Sequence, residues 1–282
     1  MKRTIAILFH RGKSNRFSRR RYALMTAAEL WKAAGHEVIF LNGIDKFIPA
    51  DICFVHVDLS IIPEAYIDFA NRYPVTVNAG VKDIRKSTFS QNLLNSNDTY
   101  TGPVIVKTNL NYSGWPEMLL QKNKANLAYL RWKNRFFSTP EKFYSSYDYK
   151  IYQSLDEVPL RYYDSEIFVI EKFLPERKGD IYYNNCYMFM GDQDFCVKFG
   201  SKLPIVKSAQ IESQKVIDPH PKIIKMRHQM NFEYGKFDYA IHNGEPVLYD
   251  LSATYGTSRS HSSREQSTHY FHRKSALESF FS

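Results

Sequence analysis

The sequence predicts a two-part chain of the α/β + α+β class. Three observations predict it. Short apolar runs alternate with helix-spaced segments up to about residue 85. From residue 150 onward, apolar runs of strand length follow one another, with one helix-like segment among them. The length of 282 residues, 44% of them hydrophobic, suits about two domains and supplies a sizeable core.

The elements follow in order. Residues 5–9 (IAILF) form a short buried strand. Residues 22–34 carry Leu24, Ala28, Leu30 and Trp31 at helical spacing, and Gly35 stands where a C-cap belongs. Residues 37–41 and 52–57 are the next strands, 63–73 a helix with Pro63 near its first turn, and 75–78 a strand. Such alternation implies right-handed βαβ units and a mostly parallel sheet. Loops after the strand C-termini then hold ligands. The loops so placed are 10–21, 56–60 and 78–86. Beyond a boundary near residue 85, 104–107 is a strand, 108–115 a polar loop and 117–137 a helix rich in Lys and Leu. Strands are expected at 150–153, 167–173, 181–190 and 195–198, and a helix at 221–231. Asn243-Gly244 between two apolar runs, 237–242 and 246–251, is a hairpin turn signal.

Composition excludes several classes. Gly and Pro number 12 each, too few for a low-complexity chain. No apolar run approaches the ~20 residues of a membrane-spanning helix. The apolar stretch after Met1-Lys2-Arg3 is too short for a signal peptide. Cys53, Cys186 and Cys196 lack metal-type spacing and read as reduced thiols of a cytoplasmic protein. The net charge is +9, and its distribution is uneven. Arg11, Lys13, Arg16, Arg19, Arg20 and Arg21 fall together with no acid among them. They read either as a solvated charge run or as an electropositive lip for an anionic substrate. Net charge alone speaks for nucleic acid, and no nucleic-acid-binding module accompanies it.

Four separated features carry chemistry. Asp83-Ile84-Arg85-Lys86 opens a polar helix. Lys107 closes a strand before the small-residue loop 108–115, which contains Ser113 and Gly114. A lysine and loop N–H groups suit phosphate oxygens. The run from Phe168 ends in Glu171, Lys172, Phe173, Leu174 and, after Pro175, Glu176. A carboxylate and free backbone groups there suit a purine edge and a ribose. Finally, the hairpin brings Asp238 onto a strand paired with that of Asp250 and Ser252. Alternation then places Asp250 and Ser252 on one face with Asp238 across from them. Converging oxygens suit a hard cation such as Mg²⁺, shared with substrate phosphates. The plain alternative is a pair of surface-facing strand carboxylates.

This order of motifs resembles the ATP-grasp superfamily, over roughly residues 83–256. The front third looks like the Rossmann-like pre-ATP-grasp domain that usually precedes it. The resemblance implies a domain at 1–85 and an ATP-grasp domain at 86–282. The latter divides into a lid-bearing part, 86–170, and a hinge and metal part, 171–282. It implies nucleotide closed between two subdomains, with ATP and Mg²⁺ as cofactors and carboxylate–amine or carboxylate–thiol ligation as the usual activity. Lys86 and Lys107 would meet the α- and β-phosphates, and 108–115 would be the lid. Glu171 and Leu174 would form the adenine hinge, flanked by Lys172 and Phe173. Glu176 would take the ribose, and Asp238 and Asp250 the metal.

Two departures stand out. Ser252 replaces the family's Asn in the last motif, and its hydroxyl is shorter and lacks an amide carbonyl. The strand after the hinge lacks the Arg that usually steadies the transferred phosphoryl group; Lys198 or Arg259 would have to supply that charge. Phosphoryl transfer depends on placed charge, so such losses cost rate. Three readings therefore stand: a ligase, a catalytically degenerate nucleotide-binding regulator, and a kinase of a small polyol or phosphorylated sugar. The partner is a small-molecule or peptide substrate of anionic character, with Arg11, Lys13, Arg16, His56 and Asp58 as its candidate contacts. Neither nucleic acid nor membrane is expected, and a homodimer is compatible with the family. Asp58 is equally read as a cap of the next helix. Gly12-Lys13-Ser14 is no P-loop, because Ile7 stands where its first Gly is needed. The tail histidines His261, His269 and His272 lack metal spacing.

Overall fold

The computed structural model describes residues 1–11, 22–114, 116–117, 120, 149–256 and 275–282. They form two compact units. One comprises Met1–Asp58, Ile62–Lys82 and Pro175–Ser282; the other comprises Leu59–Ile61 and Asp83–Leu174. This grouping differs from a division into 1–85 and 86–282, because the first and last thirds of the chain share a unit.

The first unit holds two sheets. Strands β1 (Thr4–Phe9), β2 (Glu37–Asn42), β3 (Ile52–Val55) and β4 (Val75–Val77) form a sheet of order β2-β1-β3-β4. Every pairing in it is parallel. Helix α1 (Ala23–Ala33) buries Leu24, Ala27, Ala28 and Trp31. It ends where Gly35 adopts φ +91°. The Gly35 N–H then reaches the Lys32 carbonyl, and the His36 N–H reaches that of Trp31. These two bonds are the Schellman arrangement that glycine permits. Helix α2 (Glu64–Ala70) is shorter than expected at both ends.

The second sheet has the order β11-β10-β9-β12-β13, with β8 also paired to β9. Its strands are β8 (Glu176–Lys178), β9 (Ile181–Met190), β10 (Gln193–Ser201), β11 (Ser213–Ile217), β12 (Tyr234–His242) and β13 (Glu245–Ser252). Sequence patterning misses β8 and β11. Both are mostly exposed and polar, so they carry no buried alternation to detect. Asn243 and Gly244 turn the β12–β13 hairpin with φ +51° and +83°, as a type I′ turn requires.

The two sheets of this unit share one core. Ile5, Ile7, Leu24 and Phe54 of the front third pack in the same cluster as Met190, Tyr234, Tyr255, Ala276 and Leu277. The last two belong to α5 (Ser275–Glu278). Asn78, at φ +64°, clamps the sheets. Its Oδ1 accepts from the N–H groups of Glu233 and Tyr234, both at 3.0 Å. Its Nδ2 donates to the Tyr234 carbonyl at 2.6 Å. Asn78→Ala leaves those backbone groups unpaired, and Ala tolerates this backbone region less well. We expect a loss of about 2–4 kcal/mol, read as a lower urea midpoint. A loss below about 1 kcal/mol would mean the clamp does not hold the sheets.

The second unit is built on the antiparallel sheet β6-β5-β7. Its strands are β5 (Val104–Thr108), β6 (Lys150–Tyr152) and β7 (Phe168–Lys172). Helix α3 (Lys86–Phe89) is a single turn rather than an extended polar helix. Val104, Val106, Leu155, Val158, Tyr162 and Ile170 form its core. Most of the helix expected over 117–137 and of the tail expected over 257–275 lies outside the described residues. Helix α4 (Pro221–Gln229) belongs to the first unit and matches its expected position. Among the described residues, no helix is long and apolar enough to cross a membrane.

Candidate functional site

In the second unit, Lys86 begins α3 with only 2% of its surface exposed. Asn109, just past β5, fixes that position. Its carbonyl accepts from the Lys86 N–H, and its Oδ1 accepts from the Ser87 N–H. Arg85 and Asp83 form a two-pronged ion pair beside it. Partial burial would raise the Asp83 carboxyl, but the Arg85 bonds outweigh it and hold the group below the usual carboxylate range.

Lys107 on β5 and Glu171 on β7 are both buried and form a direct ion pair. Register explains it: Ile105 pairs with Glu171, so Lys107 lies diagonally across on the same face. The Glu171 Oε1 is buried and has no hydrogen-bond partner among the described residues. Lys172 points to the other face, with its ammonium 5.2 Å from the Tyr100 ring centre. The backbone N–H of Lys172 bonds Asn92, and that of Phe173 bonds Pro103, so β7 is held tightly as it ends. Leu174 is half-buried beyond it.

The loop after β5 has an unusual backbone. Tyr112, Ser113 and Gly114 adopt φ of +46°, +59° and +69° in succession. Two of these are not glycine, so the turn is strained. Its entry is pinned to Ser60, whose Oγ accepts from the Asn111 N–H at 2.8 Å.

In the first unit, Asp238 and Asp250 sit directly opposite each other on β12 and β13. A bulge makes this possible. From the turn outward, Tyr239 pairs with Leu248, and then Asp238 pairs with Asp250, leaving Tyr249 as an additional residue. Without Tyr249 in excess, Asp238 would face that tyrosine and Asp250 would point the other way. Lys236 shares their face and donates to Asp238 at 2.5 Å. Burial alone would lower the Lys236 ammonium, but the Asp238 charge outweighs it and raises the group above its ordinary value. Ser252 is paired with Lys236. Asn184 on β9 donates its Nδ2 to Asp238 at 3.2 Å, and its Oδ1 is buried without a partner among the described residues.

Glu176 and Lys198 lie elsewhere. Glu176 pairs with Tyr183 and Lys198 with Asn185, whereas Asp238 pairs with Cys186. Odd and even positions of β9 face opposite sides of the sheet. Glu176 and Lys198 therefore lie on the face away from the carboxylates. There Glu176 accepts from Lys198, from Asn185 and from the Ile241 N–H. The structure does not bring Lys198 to the carboxylate pair, as a phosphoryl-steadying role would need.

The described front-third candidates have partners within the fold. Asp58 accepts from the Tyr22 hydroxyl at 2.6 Å and from Thr254 Oγ1 at 2.7 Å. It caps no helix, since α2 follows Pro63 without a side-chain cap. His56 is buried edge-on against Phe9 and Tyr22. Arg11 is exposed and pairs with Asp45 at 3.2 Å. Lys13, Arg16 and Arg259 lie outside the described residues. Sequence reading misses Lys236 and Asn184. The signal for Lys236 is its place two residues before Asp238, which puts both on one strand face.

The donors on this face are hard oxygens, as Mg²⁺ prefers. Two carboxylates and one ammonium leave the face with net negative charge. The face therefore fits a divalent cation. Among the described residues, no three His, Cys, Asp or Glu side chains converge on one point. Mg²⁺ commonly takes one or two carboxylates together with substrate phosphates.

No protein-family model and no curated protein matches the chain. Solved structures do. The chain is similar to an ATP-grasp protein. That structure, a RimK domain protein of Sphaerobacter thermophilus DSM 20745, is 10% identical, with a TM-score of 0.49 over 97% of this chain and 99% of that one. A D-alanine–D-alanine ligase of Bacillus anthracis is 12% identical, with a TM-score of 0.44 over 100% and 96%. The macrocyclase MdnB of Microcystis aeruginosa MRC is 11% identical, with a TM-score of 0.43 over 90% and 92%.

Proposed function

We propose that the chain is an ATP- and Mg²⁺-dependent ligase that joins a carboxylate to an amine. The observation that supports this best is the Asp238–Asp250 pair, aligned by a bulge on a half-buried face, with Lys236 bonded to Asp238. Like charges set directly opposite each other oppose folding, and a bound cation offsets that cost. Lys86 and Lys107 of the second unit take phosphate oxygens, the strained turn of Ser113 and Gly114 covers them, and Glu171 to Leu174 take the adenine. In the first unit Asp238 and Asp250 hold the cation and Lys236 supplies the charge sought at Lys198 or Arg259. Glu176 serves the ribose only if it leaves its present partners. When bound, Mg²⁺ neutralises phosphate oxygens as charge develops on them. The substrate carboxylate attacks the γ-phosphorus of ATP and ADP departs. The amine then displaces inorganic phosphate, loses a proton and leaves an amide.

The test is incubation of the full chain with Mg-ATP and paired carboxylate and amine libraries. ADP, phosphate and a condensed product by mass support the reading. No ADP under any pairing, or a product heavier by one phosphoryl group, removes it. Ser252 motivates a second reading, a nucleotide-binding regulator without turnover. Ser252→Asn is then expected to create or raise ADP release at least tenfold, by analogy with the tenfold-to-thousandfold worth of a placed polar group. Robust native turnover would set the second reading aside.

A further inference from the structure

Lys86 and the strained turn after β5 come from separate stretches of chain, and one buried residue ties both into a single frame. We propose that Ser60 is a positioning residue for that turn, holding it in its phosphate-binding shape before nucleotide arrives. This inference rests on the ATP-dependent reading above, in which Lys86 and the turn meet the phosphates.

Ser60 uses three polar groups on three segments of the second unit. Its carbonyl accepts from the Ile84 N–H at 2.8 Å, two residues before Lys86. Its Oγ accepts from the Asn111 N–H at 2.8 Å, just before the left-handed run of Tyr112, Ser113 and Gly114. Its own N–H donates to Glu117 Oε1 at 2.6 Å, beyond that run. One residue therefore anchors the turn on both sides. Asn109 closes the frame, because its carbonyl accepts from the Lys86 N–H at 3.0 Å. The circuit runs from Ser60 to Ile84, along the chain to Lys86, across to Asn109, along the chain to Asn111 and back to the Ser60 hydroxyl. The turn needs such a hold. Tyr112 and Ser113 adopt φ of +46° and +59°, a region that residues with a side chain occupy at a cost. Ser60 is buried, so water competes little for its hydroxyl. A turn fixed in advance loses less conformational freedom when phosphate binds. Of the three links, the hydroxyl is the one that a side-chain change at Ser60 removes.

The test measures the affinity of the full chain, by calorimetry, for a non-hydrolysable ATP analogue with Mg²⁺ and for adenosine. Ser60→Ala keeps both backbone links and deletes only the hydroxyl. It is expected to weaken the analogue about tenfold or more and adenosine less than about twofold, because only the analogue carries phosphates for the turn. A merely structural role would weaken both alike, and that result overturns the proposal. Ser60→Thr, which keeps the acceptor, is expected to hold the native ratio of the two affinities within about threefold. Loss of that ratio in Ser60→Thr as well would assign the effect to packing and overturn the proposal. Should the alanine variant melt early, hydrogen exchange of the native chain decides. Protection of the Asn111 amide without nucleotide supports the proposal, and free exchange there overturns it. A native ratio in Ser60→Ala overturns the proposal and leaves the reading of the site intact. No preference of the native chain for the analogue over adenosine overturns both.

Discussion

Asp250→Asn is expected to remove ATP-dependent turnover while leaving the fold intact or firmer. The substitution keeps the shape and deletes one of two carboxylates that face each other across β12 and β13. A single placed electrostatic group is worth about 10²–10³ in rate at such sites, and a cation ligand belongs in that range. The stability effect runs the other way. The two carboxylates face each other, so removing one relieves like-charge repulsion in the absence of metal, while Lys236 keeps its bond to Asp238. The melting temperature without Mg²⁺ should therefore equal or exceed that of the native chain. With Mg²⁺ and a nucleotide analogue the order should reverse, because only the native chain gains binding energy. Lower stability without metal and retained turnover would together indicate a structural pair.

Lys107→Met is the second large effect, and here the fold itself is at stake. Lys107 and Glu171 are buried together on adjacent strands. Removing the ammonium leaves Glu171 buried without its counter-charge. Breaking one side of such a pair costs about 3–5 kcal/mol. Replacing both partners is far milder, because neither charge is then stranded. Lys107→Met with Glu171→Leu should recover most of the lost urea midpoint. The double variant should nonetheless fail to bind nucleotide, which separates the structural role from the ligand role. Recovery of binding along with stability would show that the pair serves only the fold.

Particular residues show what the sequence made legible. The Asn243-Gly244 hairpin was readable because its turn needs two positive φ angles and those residues provide them. That Asp238 and Asp250 would meet was readable only in outline. The bulge at Tyr249 sets the register, and bulges leave no periodic signal in a short strand. Lys107 and Glu171 were recognisable by their order along the chain, but their mutual pairing depends on strand register. Glu176 and Lys198 were expected among the ligands. Their face follows from the antiparallel pairing of β8, β9 and β10, and β8 itself is too short and polar to read. The joining of the first and last thirds in one unit depends on contacts such as Leu24 N–H to the Tyr234 hydroxyl, at 210 residues' separation. Local patterning carries no information about such contacts.

Binding of nucleotide and metal is read most directly by calorimetric titration of the full chain with a non-hydrolysable ATP analogue, with and without Mg²⁺. Saturable binding by the native chain is expected, tightened at least tenfold by Mg²⁺, with that tightening lost when Asp238 and Asp250 are both changed to Asn. Absence of saturable binding at millimolar analogue, or Mg²⁺ enhancement that survives the double change, would contradict it.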